Sequence, residues 1–138
     1  MRIGAPLVLL ALLAAGCGGK TAGPETPEAL VQAFDAAMKA GDTGAVAALW
    51  DYEGEAKRQN PDWDDIPAGQ RDLIIGKLRE EKADQLKIRQ QVYAAGDYSP
   101  QPPQVQGNRA SVLLKSPAQD MVLNLVQRDG GWRIESLN

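Results

Sequence analysis

The sequence predicts an α+β domain in which N-terminal helices pack on a curved antiparallel sheet of about four strands. Two observations carry this prediction. Over residues 27–50 and 70–95 the apolar side chains recur with the period of a helix, and after Gly96 they alternate with a period of two. Helices followed by a run of strands with tight turns are typical of α+β folds rather than of alternating βα units.

Cap residues define the first two helices. Thr26, Pro27 and Glu28 are typical of a helix start, because Thr serves as N-cap, Pro fits the first helical position, and an acid favours the first turn. One apolar stripe follows, formed by Leu30, Phe34, Ala37 and Met38. Gly41 is predicted to end this helix. Asp42 is predicted to cap a second helix, which carries Val46, Leu49 and Trp50 on one face.

The next segment divides into a loop and a long helix. Residues 51–69 contain Pro61 and Pro67 and are predicted as a loop with at most a short helical turn. Helix formers dominate residues 70–95, which predict one long helix. Its apolar face is expected to hold Ile74, Leu78, Ile88 and Val92. Glu81 and Gln85 fall on the same face, so this helix is either buried only at its two ends or broken near residues 82–84.

The C-terminal part predicts a meander of strands. Gln101–Gln106 contains two adjacent prolines and is predicted as an edge strand or an extended lead-in. Strands are predicted over Arg109–Lys115 and from Met121 onward, and the Asp129-Gly130-Gly131 turn predicts a hairpin that ends in the strand Trp132–Glu135. Trp132 and Ile134 of this last strand are expected to pack on the apolar stripe of the first helix.

Three segments resemble the nuclear transport factor 2-like superfamily and, within it, a group of small bacterial lipoproteins. They are the helix pair from Phe34 to Trp50, the strand Gly107–Val112, and the terminal hairpin Leu123–Ile134, whose last strand begins with a Trp-x-Ile pattern. The resemblance implies a cone-shaped α+β domain over residues 28–138. Because this fold hosts enzymes, binding modules and docking subunits, the resemblance implies no single function.

The N-terminus is typical of a secretory leader. Arg2 precedes an apolar run of about a dozen residues, which is short of the ~20 residues that span a bilayer. Ala14-Ala15-Gly16-Cys17 resembles the lipobox of bacterial lipoproteins, although Ala14 stands where leucine is usual. The resemblance implies a signal peptide over residues 1–16, a diacylglycerol on the sulfur of Cys17, and a Gly- and Pro-rich tether over residues 17–27. The alternative is a soluble secreted protein with an incidental thiol.

Gly18 bears on the location of the protein. In the enterobacterial sorting rule, an aspartate directly after the lipidated cysteine retains a lipoprotein in the inner membrane. Glycine at this position therefore implies a lipid-anchored protein of the cell envelope, in the outer membrane and facing the periplasm where the organism has one.

Composition excludes several classes of function. The chain contains no histidine and one cysteine, which excludes Ser–His and Cys–His catalysis and disfavours a zinc site. Removal of Arg2 with the leader leaves 14 basic residues against 18 acidic residues, which argues against nucleic-acid binding. The acidic run Asp62-Trp63-Asp64-Asp65 lacks the glycine and distal glutamate of an EF-hand and is better explained as a helix N-terminus. We expect no metal and no cofactor.

An enzyme of the same fold is the alternative hypothesis. Related enzymes such as ketosteroid isomerase pair a carboxylate base with a tyrosine or a second acid in the cone. The first helix here offers only Phe34 as an aromatic residue, so the tyrosine that those enzymes carry on that helix is missing. A different carboxylate–tyrosine pair would have to come from Tyr52, Tyr93 or Tyr98, with Asp51 or Glu53 nearby.

The leading hypothesis is a non-catalytic domain that binds a partner protein or a small apolar ligand. Trp50 and Trp132 lie on strongly patterned faces and are predicted to be core. Trp63 lies in an acidic loop flanked by prolines, so we expect an exposed aromatic side chain that contacts the partner. Tyr52 and Tyr93 are further candidate contacts, and the charged helix over residues 70–91 is a second candidate docking element.

Overall fold

The computed structural model describes residues 23–138; the predicted leader and Cys17 lie outside this range. Within residues 23–138, four helices and one short 3₁₀ turn precede five strands. They are α1 (Pro27–Ala40), α2 (Thr43–Ala47), α3 (Tyr52–Gln59), the 3₁₀ turn (Trp63–Asp65), α4 (Ala68–Ala95), β1 (Ser99–Pro100), β2 (Gln104–Gln106), β3 (Arg109–Lys115), β4 (Met121–Arg128) and β5 (Gly131–Leu137). The strands form one strongly curled antiparallel sheet, so the predicted α+β class is confirmed.

The sheet has the strand order β1–β3–β4–β5, and β2 also pairs with β3. β1 and β2 are therefore two pieces of one edge, separated by the adjacent prolines Pro102 and Pro103. The register of β4 and β5 shifts once: Leu125 pairs with Ile134, whereas Asn124 pairs with Ser136. Glu135 is thus an extra residue on β5, a β-bulge that bends the strand locally.

The outer edge of β5 is covered by two other segments of the chain. Before α1, the carbonyl oxygen of Pro24 accepts a hydrogen bond of 2.8 Å from the Trp132 N–H. After α2, the Ile134 N–H donates to the Leu49 carbonyl at 2.8 Å, and the Asp51 N–H donates to the Ile134 carbonyl at 2.9 Å. These bonds satisfy the backbone of an edge that would otherwise be open to pairing with another chain.

The caps and the core of α1 agree with the sequence. The Thr26 hydroxyl accepts from the Ala29 N–H at 3.1 Å, and Gly41 ends the helix at φ 74°, a left-handed conformation that favours glycine. Leu30, Phe34 and Met38 are fully buried. They share one core cluster with Trp50, Trp132 and Ile134, as predicted.

Residues 51–69 are more ordered than the predicted loop. Asp51 caps α3, because its Oδ1 accepts from the Gly54 N–H at 3.3 Å. The residues that α3 buries are Tyr52, Gly54 and Ala56, and two of these are too small to mark an apolar face in the sequence. A helix without an apolar stripe escapes detection by periodicity.

The prediction that the Trp63 side chain is exposed is wrong. Its side chain is only 4% exposed and belongs to the core cluster. Arg71 holds the loop over the indole: its guanidinium lies 5.5 Å from the ring centroid and donates at 2.7 Å to the carbonyls of both Asp64 and Ile66. The acidic residues beside Trp63 point to solvent while the ring turns inward.

α4 is continuous over 28 residues, so of the two alternatives left open by the sequence, a break near residues 82–84 is excluded. The predicted apolar face is wrong in its second half, because Ile88 is 70% exposed and Val92 is 49% exposed. The buried residues of α4 are Leu78, Leu86 and Tyr93. Among residues 23–138, no helix has both the length and the apolar composition needed to cross a bilayer.

Two polar side chains lie on the buried face of α4, which explains why the apolar pattern of the sequence did not predict that face. Gln90 lies on that face and donates from its amide to the Met38 carbonyl at 2.9 Å. The ammonium of Lys82 lies 4.5 Å from the centroid of the Trp50 ring and 3.6 Å from Glu55. Each polar group is accommodated by a specific partner on another helix or at the sheet edge, which only the tertiary structure supplies.

Candidate functional site

Among the described residues, Tyr93 is paired with a carboxylate, which belongs to Asp35 rather than to the expected Asp51 or Glu53. The Tyr93 hydroxyl donates to Asp35 Oδ1 at 2.6 Å, and the ring stacks on Tyr98 with centroids 4.7 Å apart. Tyr93 is 1% exposed, and Asp35 also pairs with Lys39 at 2.9 Å. Burial, followed by the hydrogen bond to Asp35, raises the pKa of the Tyr93 hydroxyl. The hydroxyl therefore stays protonated and joins α4 to α1.

Tyr52 is buried in the same way. Its hydroxyl donates to the Ala47 carbonyl at 2.6 Å, and the Arg79 guanidinium lies 5.4 Å from its ring centroid. Burial raises the pKa of this tyrosine, and the positive charge of Arg79 partly opposes the shift. Tyr52, Trp63 and Tyr93 are all less than 10% exposed, so none of these three predicted contact residues lies on the surface.

The carboxylate of Asp51 is also committed to structure. Asp51 is 5% exposed and accepts from Arg128 at 2.8 Å and 3.1 Å, in addition to capping α3. The hydrogen bond to Asp51 raises the pKa of Arg128. This pair joins the start of α3 to the end of β4. The Asp51 carboxylate does not accept from the hydroxyl of the adjacent Tyr52, because that hydroxyl donates to the Ala47 carbonyl instead.

A cavity on the outer face of the sheet has a volume of about 510 Å³ and a polar lining. Its floor is a row of cross-strand neighbours from β2 to β5. The row consists of Gln104, Ser111, Asn124 and Ser136. Side chains alternate between the two faces of a strand, so Ser111 lies on the face opposite to the buried Ala110 and Val112. We call this cavity the polar cleft.

Glu135 and two arginines form the charged part of the polar cleft. Nη1 of Arg109 lies 3.1 Å and 3.0 Å from the two carboxylate oxygens of Glu135, and Nη1 of Arg58 lies 3.6 Å from Oε1. The Glu135 side chain is 17% exposed, while both arginines are about half exposed or more. Two guanidiniums beside one carboxylate leave one net positive charge and several free N–H donors.

The sequence did not single out these residues. Ser111 and Asn124 occupy outward positions of predicted strands, a pattern typical of any solvated sheet face. Glu135 reaches the cleft because of the bulge, and Arg58 reaches it because residues 52–59 form a helix. Neither the bulge nor this helix can be predicted from the periodicity of the sequence. The only signal of the cleft in the sequence is the polar content of the strands.

The acidic residues of the described chain do not gather into a metal centre. Between residues 23 and 138 no group of three or more His, Cys, Asp or Glu side chains is arranged to hold an ion.

Comparison of the chain with protein-family models, with curated proteins and with solved structures finds no match.

Proposed function

We propose that the protein is a membrane-tethered, non-catalytic binding domain of the cell envelope. In this proposal a lipid on Cys17 provides the anchor, and the polar cleft binds a partner protein. The observation that carries the binding role is the contrast between a filled interior and an open polar face. The residues that fill the interior include Leu30, Phe34, Met38, Val112, Leu114 and Ile134, each with no exposed surface.

The filled interior gives the enzyme alternative less support. A carboxylate–tyrosine pair that acts on a substrate must reach it within hydrogen-bond distance. The Tyr93–Asp35 pair lies at the α1–α4 contact, and neither residue lines the polar cleft. The proposal therefore assigns this pair to folding.

The lining of the cleft favours a polar partner over a small apolar ligand. Ser, Asn and Gln side chains offer both donors and acceptors, and Arg58 and Arg109 offer charged donors. An apolar ligand would remove these groups from water without replacing their hydrogen bonds, which costs free energy. A polar peptide segment that carries a carboxylate would satisfy them, and arginine is enriched at protein interfaces.

The start of the described chain suggests how the domain sits on the membrane. The Gly23 N–H donates to the Gly130 carbonyl at 2.5 Å, which places residue 23 beside the β4–β5 turn. Six peptide units separate Gly23 from Cys17. At ~3.6 Å per residue these units reach at most about 22 Å. A lipid on Cys17 would therefore hold the β4–β5 turn close to the bilayer surface.

We predict that Cys17→Ser releases the protein from the membrane or blocks cleavage of its leader. Serine offers no thiol for the diacylglycerol, and without two acyl chains a small domain is held weakly. The measurement is radioactive palmitate labelling combined with membrane fractionation. The folded domain should be unchanged, because residue 17 lies outside the described domain. If the wild-type protein carries no label and fractionates as soluble, the lipid anchor is refuted.

The binding role predicts a site-specific crosslink. A photo-crosslinking amino acid at Ser111, in the polar cleft, should give a discrete protein adduct in intact envelopes. The same amino acid at Ser99, a strand residue that does not line the cleft, is the matched control and should give none. Arg109→Ala should reduce the Ser111 adduct several-fold at an unchanged melting temperature, since Glu135 keeps Arg58 as a partner. Equal adducts at both serines, or none at Ser111, would exclude the cleft as the binding surface.

A further inference from the structure

A second, smaller cavity lies between α4 and the C-terminal end of the sheet. It has a volume of about 60 Å³ and shares no lining residue with the polar cleft. The residues that line it are Trp50, Lys82, Gln85, Leu86, Arg89 and Leu137. Its volume is about the share of two water molecules in the liquid, so it has room for a group with two oxygens but not for a whole metabolite.

The indole of Trp50 is the first indication of a ligand. Trp50 is 6% exposed, and its Nε1 is buried without an acceptor among the described residues. Buried N–H donors are nearly always satisfied, because an unmade hydrogen bond is costly in a medium of low dielectric constant. An acceptor in the adjoining cavity would satisfy this one.

The charges around the cavity are the second, independent indication. The Lys82 side chain is 14% exposed, and its ammonium pairs with Glu55 at 3.6 Å while it lies 4.5 Å from the Trp50 ring centroid. Arg89 also lines the cavity and forms no ion pair with a residue in the 23–138 range. Lys82 therefore has Glu55 as its carboxylate partner, whereas Arg89 on the same cavity has no carboxylate partner among the described residues.

We propose that this cavity binds a single carboxylate group of a small organic acid. One oxygen accepts from the Trp50 Nε1–H, and the negative charge is balanced by Lys82 and Arg89. Charge-assisted hydrogen bonds of this kind are stronger than neutral ones. The rest of the acid would extend from the cavity past the exposed Arg89, so the site selects for the carboxylate rather than for a particular carbon skeleton.

The test follows the indole signals of the intact mature protein in nonionic detergent micelles. The chain has three tryptophans and therefore gives three indole N–H resonances, of which Trp50→Phe identifies one. Titration with acetate, at an ionic strength held constant with chloride, should shift the Trp50 resonance saturably and leave the other two in place. Arg89→Gln should weaken acetate binding about tenfold or more. Arg79→Gln is the matched control on the same helix and should leave the affinity unchanged, because Arg79 does not line the cavity.

Three results would overturn the proposal. The first is a Trp50 resonance that does not respond to acetate, or that responds equally to chloride. The second is an unchanged acetate affinity in Arg89→Gln, with the melting temperature showing that the variant is folded. The third is inorganic phosphate binding as tightly as acetate, which would show a general anion site in place of a carboxylate site.

Discussion

Trp132→Ala is expected to lower the free energy of unfolding by about 3–5 kcal/mol, the range for removal of a large aromatic side chain from a core. Trp132 is 4% exposed and shares the core cluster with Phe34 and Ile134. Trp132 is on β5 and the core cluster joins this strand to side chains of α1, so the space left by the indole would lie between two packed elements. Since small domains are stable by about 5–15 kcal/mol, the variant should lose a large part of its free energy of unfolding.

Chemical denaturation followed by circular dichroism measures this loss. Leu73→Ala is the matched control, because Leu73 is 75% exposed and truncation there should change the stability by less than about 0.5 kcal/mol. Trp132→Phe keeps an aromatic ring in the core and should cost less than Trp132→Ala. A Trp132→Ala variant that melts like the Leu73→Ala control would place this side chain on the surface and contradict the orientation of the sheet.

Trp63→Ala is also expected to lower the free energy of unfolding by about 3–5 kcal/mol. The sequence predicted a small effect instead, because it placed Trp63 in an exposed loop. Trp63 is 4% exposed and belongs to the core cluster, although only a three-residue 3₁₀ turn surrounds it. Its removal would also leave the Arg71 guanidinium, which lies 5.5 Å from the ring centroid, without its aromatic partner.

The same denaturation experiment tests this second variant. Trp63→Phe should recover a large part of the stability, because it restores most of the buried apolar area without the indole. Arg71→Ala should have a smaller effect than Trp63→Ala, since it leaves the ring in the core. A Trp63→Ala variant with wild-type stability would show that the side chain is exposed, and the loop would again be a candidate docking surface.

The sequence by itself determined the class and order of the elements wherever local chemistry decides them. Thr26, Gly41 and Asp42 mark helix ends because their side chains or left-handed backbone satisfy groups within a few residues. β3 was bounded correctly because strict alternation of apolar and polar residues has one structural meaning on a sheet with one buried face. The burial of Trp50 and Trp132 followed from the same regular patterns.

Only the tertiary structure decided which irregular residues are buried and which polar groups meet. Trp63 is core because Arg71 closes the loop over it, and Ile88 is exposed because Lys82 and Gln90 occupy the buried face of α4 with partners on other elements. The polar cleft depends on the bulge at Glu135 and on a helix with no apolar stripe. Both cavities are formed by residues far apart in the chain, and such contacts leave no periodic signal because each is decided by packing between elements rather than by neighbours in the sequence.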